Sequence, residues 1–295
     1  MNFSAYLEEK RRMVDAYLDS VVPSDTSPPE SLHKAMRYSL FAGGKRVRPI
    51  LVIASYEAIH AASAAILPCA AALELVHTYS LIHDDLPAMD NDDYRRGKLT
   101  NHKVFGEAMA ILAGDALLTM AFDLLSRNSM NGVDPGARIR VVQELAGGAG
   151  DAGMVAGQVA DIEAEGKDID LATLEAVHRW KTGKLIRAAV RIGGILGAAS
   201  PIMLTELTRY AEDIGLAFQI ADDVLNVVGS REELGKDANT DASRGKKTYP
   251  AFFGVEGARK LADERAASAI QHLVGFDSKA DPLRDLARYI TARKN

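Results

Sequence analysis

Apolar residues recur at spacings of three and four along nearly the whole chain, which is the period of an α-helix. A first amphipathic helix is predicted from Phe3, and a turn over Pro23–Pro29 separates it from a second helix that ends near Gly43-Gly44. We find no strand pair with a tight hairpin turn and no alternation of strands with helices. Further helices are predicted at about 48–60, 64–86, 103–127, 134–162, 171–199, 202–229, 249–273 and 281–292.

The pattern predicts one all-α domain over the full 295 residues, because no composition shift or linker divides the chain. Segments 64–82, 185–199 and 214–228 are apolar nearly all round. A helix without a polar face is covered by its neighbours, so these three are expected to be central.

Two pairs of aspartates interrupt these apolar helices: Asp84-Asp85 and Asp222-Asp223. An ionised carboxylate on a buried helix is unfavourable unless it is paired or bound to metal. In the second pair the polar positions fall at i, i+3, i+4 and i+7, so they form one stripe that should meet a cavity or partner groups. The stripe comprises Gln219, Asp222, Asp223 and Asn226.

Asp90 lies beyond Pro87, which ends or kinks the first of these helices. Asp90 reaches the same metal as Asp84 only if the chain bulges there. Oxygen ligands without cysteine favour hard cations, and Mg²⁺ is bound by a few carboxylates together with water and phosphate oxygens. The alternative is a set of ordinary salt bridges at helix ends.

Basic residues gather beside glycines in short runs, at 43–48, 95–97, 181–184, 235–236 and 245–247. Arginine suits bidentate phosphate contacts, and glycine lets the backbone approach an anion. The first run is not a P-loop, because the required spacing is absent. With a net charge of -5 the chain as a whole does not resemble a nucleic-acid-binding protein.

A cytoplasmic location is predicted from two features of the sequence. Cys69 is the only cysteine, which suits a reducing compartment. The N-terminal segment has no basic and apolar signal pattern, and no stretch predicts a membrane span, since Pro68 or arginines interrupt the most apolar ones.

Several ordered stretches of the chain resemble trans-isoprenyl diphosphate synthases, and among them most closely the bacterial farnesyl diphosphate synthases. The resemblance covers nearly the whole chain. It is carried by GGKRVRP (43–49), ELVHTYSLIHDDLPAMDNDDYRRGKLTNH (74–102), GMVAGQVADIEAEGK (153–167), HRWKTGKLIRAAV (178–190), FQIADDVLNVVG (218–229), LGKD (234–237) and GKKTYPAFFG (245–254).

The resemblance implies a single all-α polyprenyl synthase domain, a large helical bundle around a deep central cavity, and a homodimer. It also implies three Mg²⁺ ions, which Mn²⁺ can replace, on the aspartates of two motifs. The metal ligands it assigns are Asp84, Asp85, Asp90 and Asp222, with Asp223 completing the second motif.

The same resemblance assigns the cations to two diphosphate substrates. The isopentenyl diphosphate site would take Gly44, Lys45, Arg48, His77 and Arg96. The allylic diphosphate would be held by Arg95, Lys181, Lys236 and Lys246, while Thr182 and Gln219 line the reacting centre and Gln158 and Asp161 line the cavity.

The implied reaction is head-to-tail condensation through an allylic cation, giving farnesyl diphosphate and pyrophosphate. Tyr79 and Ser80, one turn before Asp84, are the implied determinants of chain length. The chain departs from the family where the second motif normally ends in aspartate, because Asn226 stands there. Loss of one charge is expected to weaken metal binding at that corner without abolishing activity.

Three alternatives stay open. A geranylgeranyl or geranyl diphosphate synthase shares almost every motif. A terpene cyclase would lack the isopentenyl site of the first basic runs. A non-catalytic regulatory subunit usually loses an aspartate cluster, whereas the first cluster is complete here.

Overall fold

A computed structural model describes residues 2–127, 133–228 and 246–292 of the chain. These residues are almost entirely helical, as predicted. The helices are α1 (Phe3–Val21), α2 (Glu30–Leu40), α3 (Val47–Glu57), α4 (Leu67–Asp84), α5 (Asn101–Phe105), α6 (Glu107–Ser126), α7 (Pro135–Ala149), α8 (Met154–Ala164), α9 (Leu171–His178), α10 (Lys184–Leu196), α11 (Pro201–Val228), α12 (Tyr249–Gln271) and α13 (Asp281–Ala292).

Two predicted helices are each divided in the structure, and a third, predicted at 249–273, is kinked at Gly254, where φ is +68°. The segment predicted at 103–127 is broken at Gly106, where φ is +86°, a conformation that favours glycine. The segment predicted at 134–162 is broken between α7 and α8, where the chain turns over Gly150–Gly153. Apolar periodicity continues across both breaks, so the pattern alone did not locate them.

A short antiparallel hairpin corrects the expectation that no tight hairpin exists. Its strands are β1 (Tyr94–Arg95) and β2 (Lys98–Leu99), paired as Tyr94 with Leu99 and Arg95 with Lys98. Arg96 and Gly97 form the turn with φ of 53° and 75°, the left-handed pair that a two-residue hairpin needs. Two-residue strands are too short to show alternation, so only the glycine marked the turn.

One compact unit comprises residues 1–53 and 63–134. Helix α4 is its centre, with Leu73, Leu75 and Val76 fully buried. Burial of each such side chain contributes roughly 1.5–3 kcal/mol. Helix α6 packs against α4, and a Cβ atom on Gly114 would lie 2.1 Å from His83 Nε2, so any other residue would displace the His83 side chain.

The other compact unit comprises residues 54–62 and 135–295. Helix α11 packs against α10, α12 and α13, and its buried Tyr210 hydroxyl donates to the Leu283 carbonyl at 2.7 Å. Between α9 and α10 the residues Arg179–Gly183 form one π-helical turn, so the backbone passes from α9 to α10 without a loop. Such insertions often occur at functional sites.

Two helical segments pass a length and composition test for membrane spans, Ala64–Asp84 and Glu107–Ser126. In the first segment 72% of the most apolar stretch is buried, so it is the core of its unit. A buried core helix of a globular protein is equally long and apolar. In the second segment only 39% of the most apolar stretch is buried.

The predicted single domain over 1–295 stays a prediction.

Candidate active site

The first aspartate cluster lies where α4 ends. Asp84 is the last residue of the helix and Asp85 caps it. The chain then turns back, because the Asp90 backbone N–H donates to the Asp84 carbonyl oxygen at 2.8 Å. This turn brings the Asp90 backbone beside that of Asp84, as the predicted bulge requires, and a shared metal stays a prediction.

Asp85 is buried and ion-paired. Its Oδ1 accepts a hydrogen bond from Arg95 Nε at 2.7 Å, and Arg95 Nη2 also lies 3.3 Å from Asp92 Oδ2. Burial raises the pKa of Asp85 to about 6, although Arg95 opposes the shift. Since the C-terminal end of a helix is also the negative end of its dipole, a further cation here would stabilise the ionised carboxylates.

The hairpin positions Arg96 on the backbone of the first glycine pair. The Arg96 guanidinium donates to the Gly43 carbonyl and lies against Gly44. Gly44 has a φ of +125°, and a Cβ atom on it would lie 2.8 Å from Arg96 Cζ. The positive φ favours glycine at this position, and any other residue would force the Arg96 guanidinium to move.

Arg46 fixes the same loop from within, and sequence reasoning did not single it out. Its guanidinium donates to Asp15 Oδ1 at 2.8 Å, to Glu74 Oε1 at 2.6 Å and to the Leu40 carbonyl at 2.7 Å. Both Arg46 and Glu74 are buried. These bonds hold the backbone that carries the exposed Lys45. In the sequence, the only indication of this contact was that Glu74 lies three residues before His77, on the same face of α4.

His77 faces a group of arginines. Burial lowers the pKa of His77 well below its ordinary value, and the arginines lower it further. The imidazole is therefore neutral at neutral pH, and the positive charge around it is available to an anion. The arginines that act on it are Arg48, Arg96, Arg95 and Arg46.

The two predicted chain-length residues lie one turn before the aspartates. Tyr79 is buried and makes an edge-to-face contact with His83, with ring centroids 5.6 Å apart. Ser80 is half-buried, and its hydroxyl donates to the His77 carbonyl at 2.9 Å.

The π-helical turn carries Lys181 and the buried Thr182. Lys181 Nζ donates to Asp161 Oδ2 at 2.7 Å, and Lys246 Nζ donates to the same oxygen at 2.8 Å. Burial would raise the pKa of Asp161, but the two lysines outweigh burial and lower it. Two of the predicted diphosphate lysines are thus brought together around one ionised carboxylate.

Gly157 of α8 allows the backbone of the π-helical turn to pack closely against α8. A Cβ atom on Gly157 would lie 2.0 Å from the Lys181 backbone nitrogen. The same helix carries Gln158 and Asp161. The close approach of α8 to the π-helical turn brings Asp161 within hydrogen-bonding distance of Lys181. The Gln158 Oε1 atom is buried without a hydrogen-bond partner in the described part of the protein.

The polar stripe of α11 divides into an exposed and a buried part. Asp222 is exposed, whereas Asp223 and Asn226 are buried. Asp223 Oδ2 accepts the Tyr249 backbone N–H at 2.9 Å and thereby caps α12. The expectation that the stripe meets partner groups is confirmed for Asp223. Asp222 is exposed, so its carboxylate is accessible to a metal.

Gln219 completes the stripe and contacts a residue that the sequence did not flag. Its Nε2 lies 2.9 Å from Nδ1 of His178.

Lys236 lies outside the described residues. Within the described ranges no group of three or more aspartate, glutamate, histidine or cysteine side chains is placed to hold a metal by itself.

Comparison with known proteins decides the family. Residues 29–283 match the polyprenyl synthetase family. The chain belongs to this family. Among its relatives, a farnesyl diphosphate synthase of Geobacillus stearothermophilus is 45% identical over 99% of this chain and 98% of that protein. A geranylgeranyl pyrophosphate synthase of Capsicum annuum is 48% identical over 100% of this chain and 79% of that protein.

The all-α isoprenyl synthase fold is confirmed as well. The apo crystal structure of an FPP/GFPP synthase from Zymomonas mobilis superposes with a TM-score of 0.89 at 40% identity, covering 98% of this chain and 99% of that chain. The family and the fold are therefore confirmed, while the individual site residues stay predictions.

Proposed function

We propose that this polyprenyl synthetase condenses isopentenyl diphosphate with dimethylallyl and geranyl diphosphate to give farnesyl diphosphate and pyrophosphate. The observation that carries the proposal is the turn after α4, where the Asp90 N–H donates to the Asp84 carbonyl and the Asp85 carboxylate pairs with Arg95, in a chain of this family. We further propose that the two compact units form one synthase domain over 1–295, since the family match runs through both.

Asp84, Asp85, Asp90 and Asp222 would hold Mg²⁺, three ions in all, with Mn²⁺ able to substitute. Their oxygen donors suit a hard cation. Because no complete ligand group is placed in advance among the described residues, substrate phosphate and water would supply the remaining ligands. When bound, Mg²⁺ would supply positive charge that stabilises the departing diphosphate.

Lys45, Arg48, His77 and Arg96 would bind isopentenyl diphosphate. The supporting observation is the neutral His77, which can donate a hydrogen bond to a phosphate oxygen without adding charge among arginines. Arg96 lies on the glycine pair, so backbone and guanidinium present one surface to the anion.

The allylic diphosphate would be clamped by Arg95, Lys181 and Lys246, and by Lys236 from outside the described residues. Without substrate, Arg95 pairs with Asp85, and Lys181 and Lys246 both pair with Asp161. Diphosphate binding therefore exchanges one anion for another, so the positive charge of the half-buried lysines is compensated in both states.

The reaction follows from this charge distribution. The allylic C–O bond breaks, and its electron pair leaves with the diphosphate, whose new charge the clamp stabilises. The double bond of isopentenyl diphosphate attacks the allylic cation and forms the new C–C bond. The released diphosphate takes the proton that is lost, so no side-chain nucleophile is needed. Thr182 and Gln219 line the reacting carbons, with Gln158 and Asp161 in the cavity wall.

Chain length is assigned to Tyr79 and Ser80, one turn below the aspartates. The buried Tyr79 ring, fixed against His83, would stop growth near fifteen carbons. Geranylgeranyl diphosphate is the second candidate product, because a relative of that name is 48% identical. Geranyl diphosphate is the shorter alternative.

The protein is proposed to act as a homodimer in the cytoplasm. Helix α6 exposes Ile111 and Leu112 at 44% and 54% on a helix that is apolar along its length. Such a face is typical of an interface between copies. Leu112→Glu should convert a dimer to a monomer in light scattering after gel filtration. The buried Cys69, which is the only cysteine, suits a reducing compartment.

The deciding experiment is incubation with isopentenyl diphosphate plus dimethylallyl or geranyl diphosphate, with and without Mg²⁺, followed by chromatography of the products. We expect a fifteen-carbon product that disappears with chelator. Asp84→Asn should lose activity, while the matched control Asp93→Asn, which only pairs with Lys103 at the surface, should keep it. Absence of any product would favour the regulatory-subunit alternative.

A further inference from the structure

His178 lies outside the residues assigned so far, yet it contacts the polar stripe of α11. It is the last residue of α9, directly before the π-helical turn, and its side chain is 11% exposed. Its ring stacks on Tyr249, with centroids 5.6 Å apart and planes inclined by 21°. The Gln219 amide lies at one ring nitrogen and the Asp223 carboxylate near the other.

Hydrogen-bond chemistry fixes the state of this ring. An amide nitrogen only donates, so Nδ1 of His178 must accept from Gln219 Nε2 at 2.9 Å. With Nδ1 accepting, the ring hydrogen is on Nε2, which lies 3.5 Å from Asp223 Oδ2 and makes no hydrogen bond among the described residues. The Tyr249 backbone N–H holds that carboxylate in place at 2.9 Å. A carboxylate this close to Nε2 favours the tautomer that carries its hydrogen there, which leaves Nδ1 as the acceptor.

This arrangement decides which end of the Gln219 amide is available. The NH₂ group is committed to His178, and Oε1 has no hydrogen bond to the described residues. An amide oxygen carries partial negative charge and stabilises a cation, whereas the NH₂ group would oppose one. An isolated glutamine has no preference between the two orientations.

We infer that His178 is a positioning residue that orients the Gln219 amide so that its oxygen faces the reacting allylic carbons. The inference rests on the proposed function, because only a reaction through an allylic cation gives the amide oxygen this role. A dipole fixed before the reaction needs no reorganisation when the charge develops, so its effect falls on the chemical step. Substrate binding depends on the diphosphate cations and is unaffected.

The test compares three variants in steady-state assays with geranyl and isopentenyl diphosphate. His178→Leu removes the acceptor, and we expect kcat to fall roughly 10- to 100-fold with both KM values within about threefold of wild type. His178→Asn returns an acceptor oxygen near the Nδ1 position and should recover most of the loss. Tyr249→Phe keeps the stacked ring and is the matched control, with unchanged kcat expected.

A double variant separates positioning from packing. In the His178→Leu background, Gln219→Leu should cost little more, because the two side chains act through one interaction. Equal kcat in His178→Leu and wild type would overturn the inference. So would full additivity with Gln219→Leu, or a His178→Asn variant as slow as His178→Leu while its melting temperature matches wild type. Inactivity of the wild-type enzyme itself would instead count against the proposed function.

Discussion

Replacing Arg46 by methionine should destabilise the protein more than any surface charge substitution. Arg46 is 3% exposed and makes three hydrogen bonds, one of them to a Glu74 side chain that is only 2% exposed. Burial would lower the pKa of Arg46, but the carboxylates of Glu74 and Asp15 outweigh burial and keep it charged. Methionine fills a similar volume and leaves the Glu74 carboxylate buried without its cation.

The magnitude follows from that uncompensated charge. Removing one partner of a buried ion pair costs about 3–5 kcal/mol, whereas replacing both by apolar side chains is often nearly neutral. Arg46→Met should therefore lower the free energy of unfolding by about 3–5 kcal/mol. The double variant Arg46→Met/Glu74→Met should recover most of this loss.

Urea denaturation followed by circular dichroism measures these free energies. Arg12→Met is the matched control, because Arg12 is 71% exposed and lies 3.8 Å from Glu8, so its loss should cost under about 1 kcal/mol. The KM for isopentenyl diphosphate should rise in Arg46→Met, since the loop that carries Lys45 loses its anchor. A loss no larger than that of Arg12→Met, or no recovery in the double variant, would refute the reasoning.

Three further predictions concern single positions. The pKa of His77 is depressed in the folded protein, so below pH 6.5 the unfolded chain binds the extra proton and stability falls; between pH 7.5 and 5.5 wild type should lose about 1.4 kcal/mol more than His77→Gln in urea titrations. Equal losses would contradict the neutral imidazole. Gly157→Ala should displace the π-helical turn and raise the KM for the allylic diphosphate more than tenfold, whereas Gly147→Ala, with no atom near the added carbon, should not. Tyr79→Ala should yield products longer than fifteen carbons by chromatography, and an unchanged product would remove Tyr79 as the stop.

The all-α class and most helix positions were predictable from sequence, because helical periodicity is local and repeats along the chain. The helix of residues 3–21 and those over 201–228 and 281–292 lie close to where the apolar pattern placed them. That each aspartate pair would need a partner was also predictable, and the buried members Asp85 and Asp223 have one, Arg95 and the Tyr249 backbone N–H.

Tertiary structure alone decided which groups act on which. Nothing local indicates that Arg46 reaches Glu74, 28 residues away, or that the Gln219 amide meets His178, 41 residues away. Hydrogen bonds of this kind depend on how helices pack, and packing is set by the summed fit of many side chains. The sequence by itself therefore determined the helices and the kinds of charge they carry. The folded chain decided that Asp223 caps a helix while Asp222 stays exposed, and that two lysines share one carboxylate.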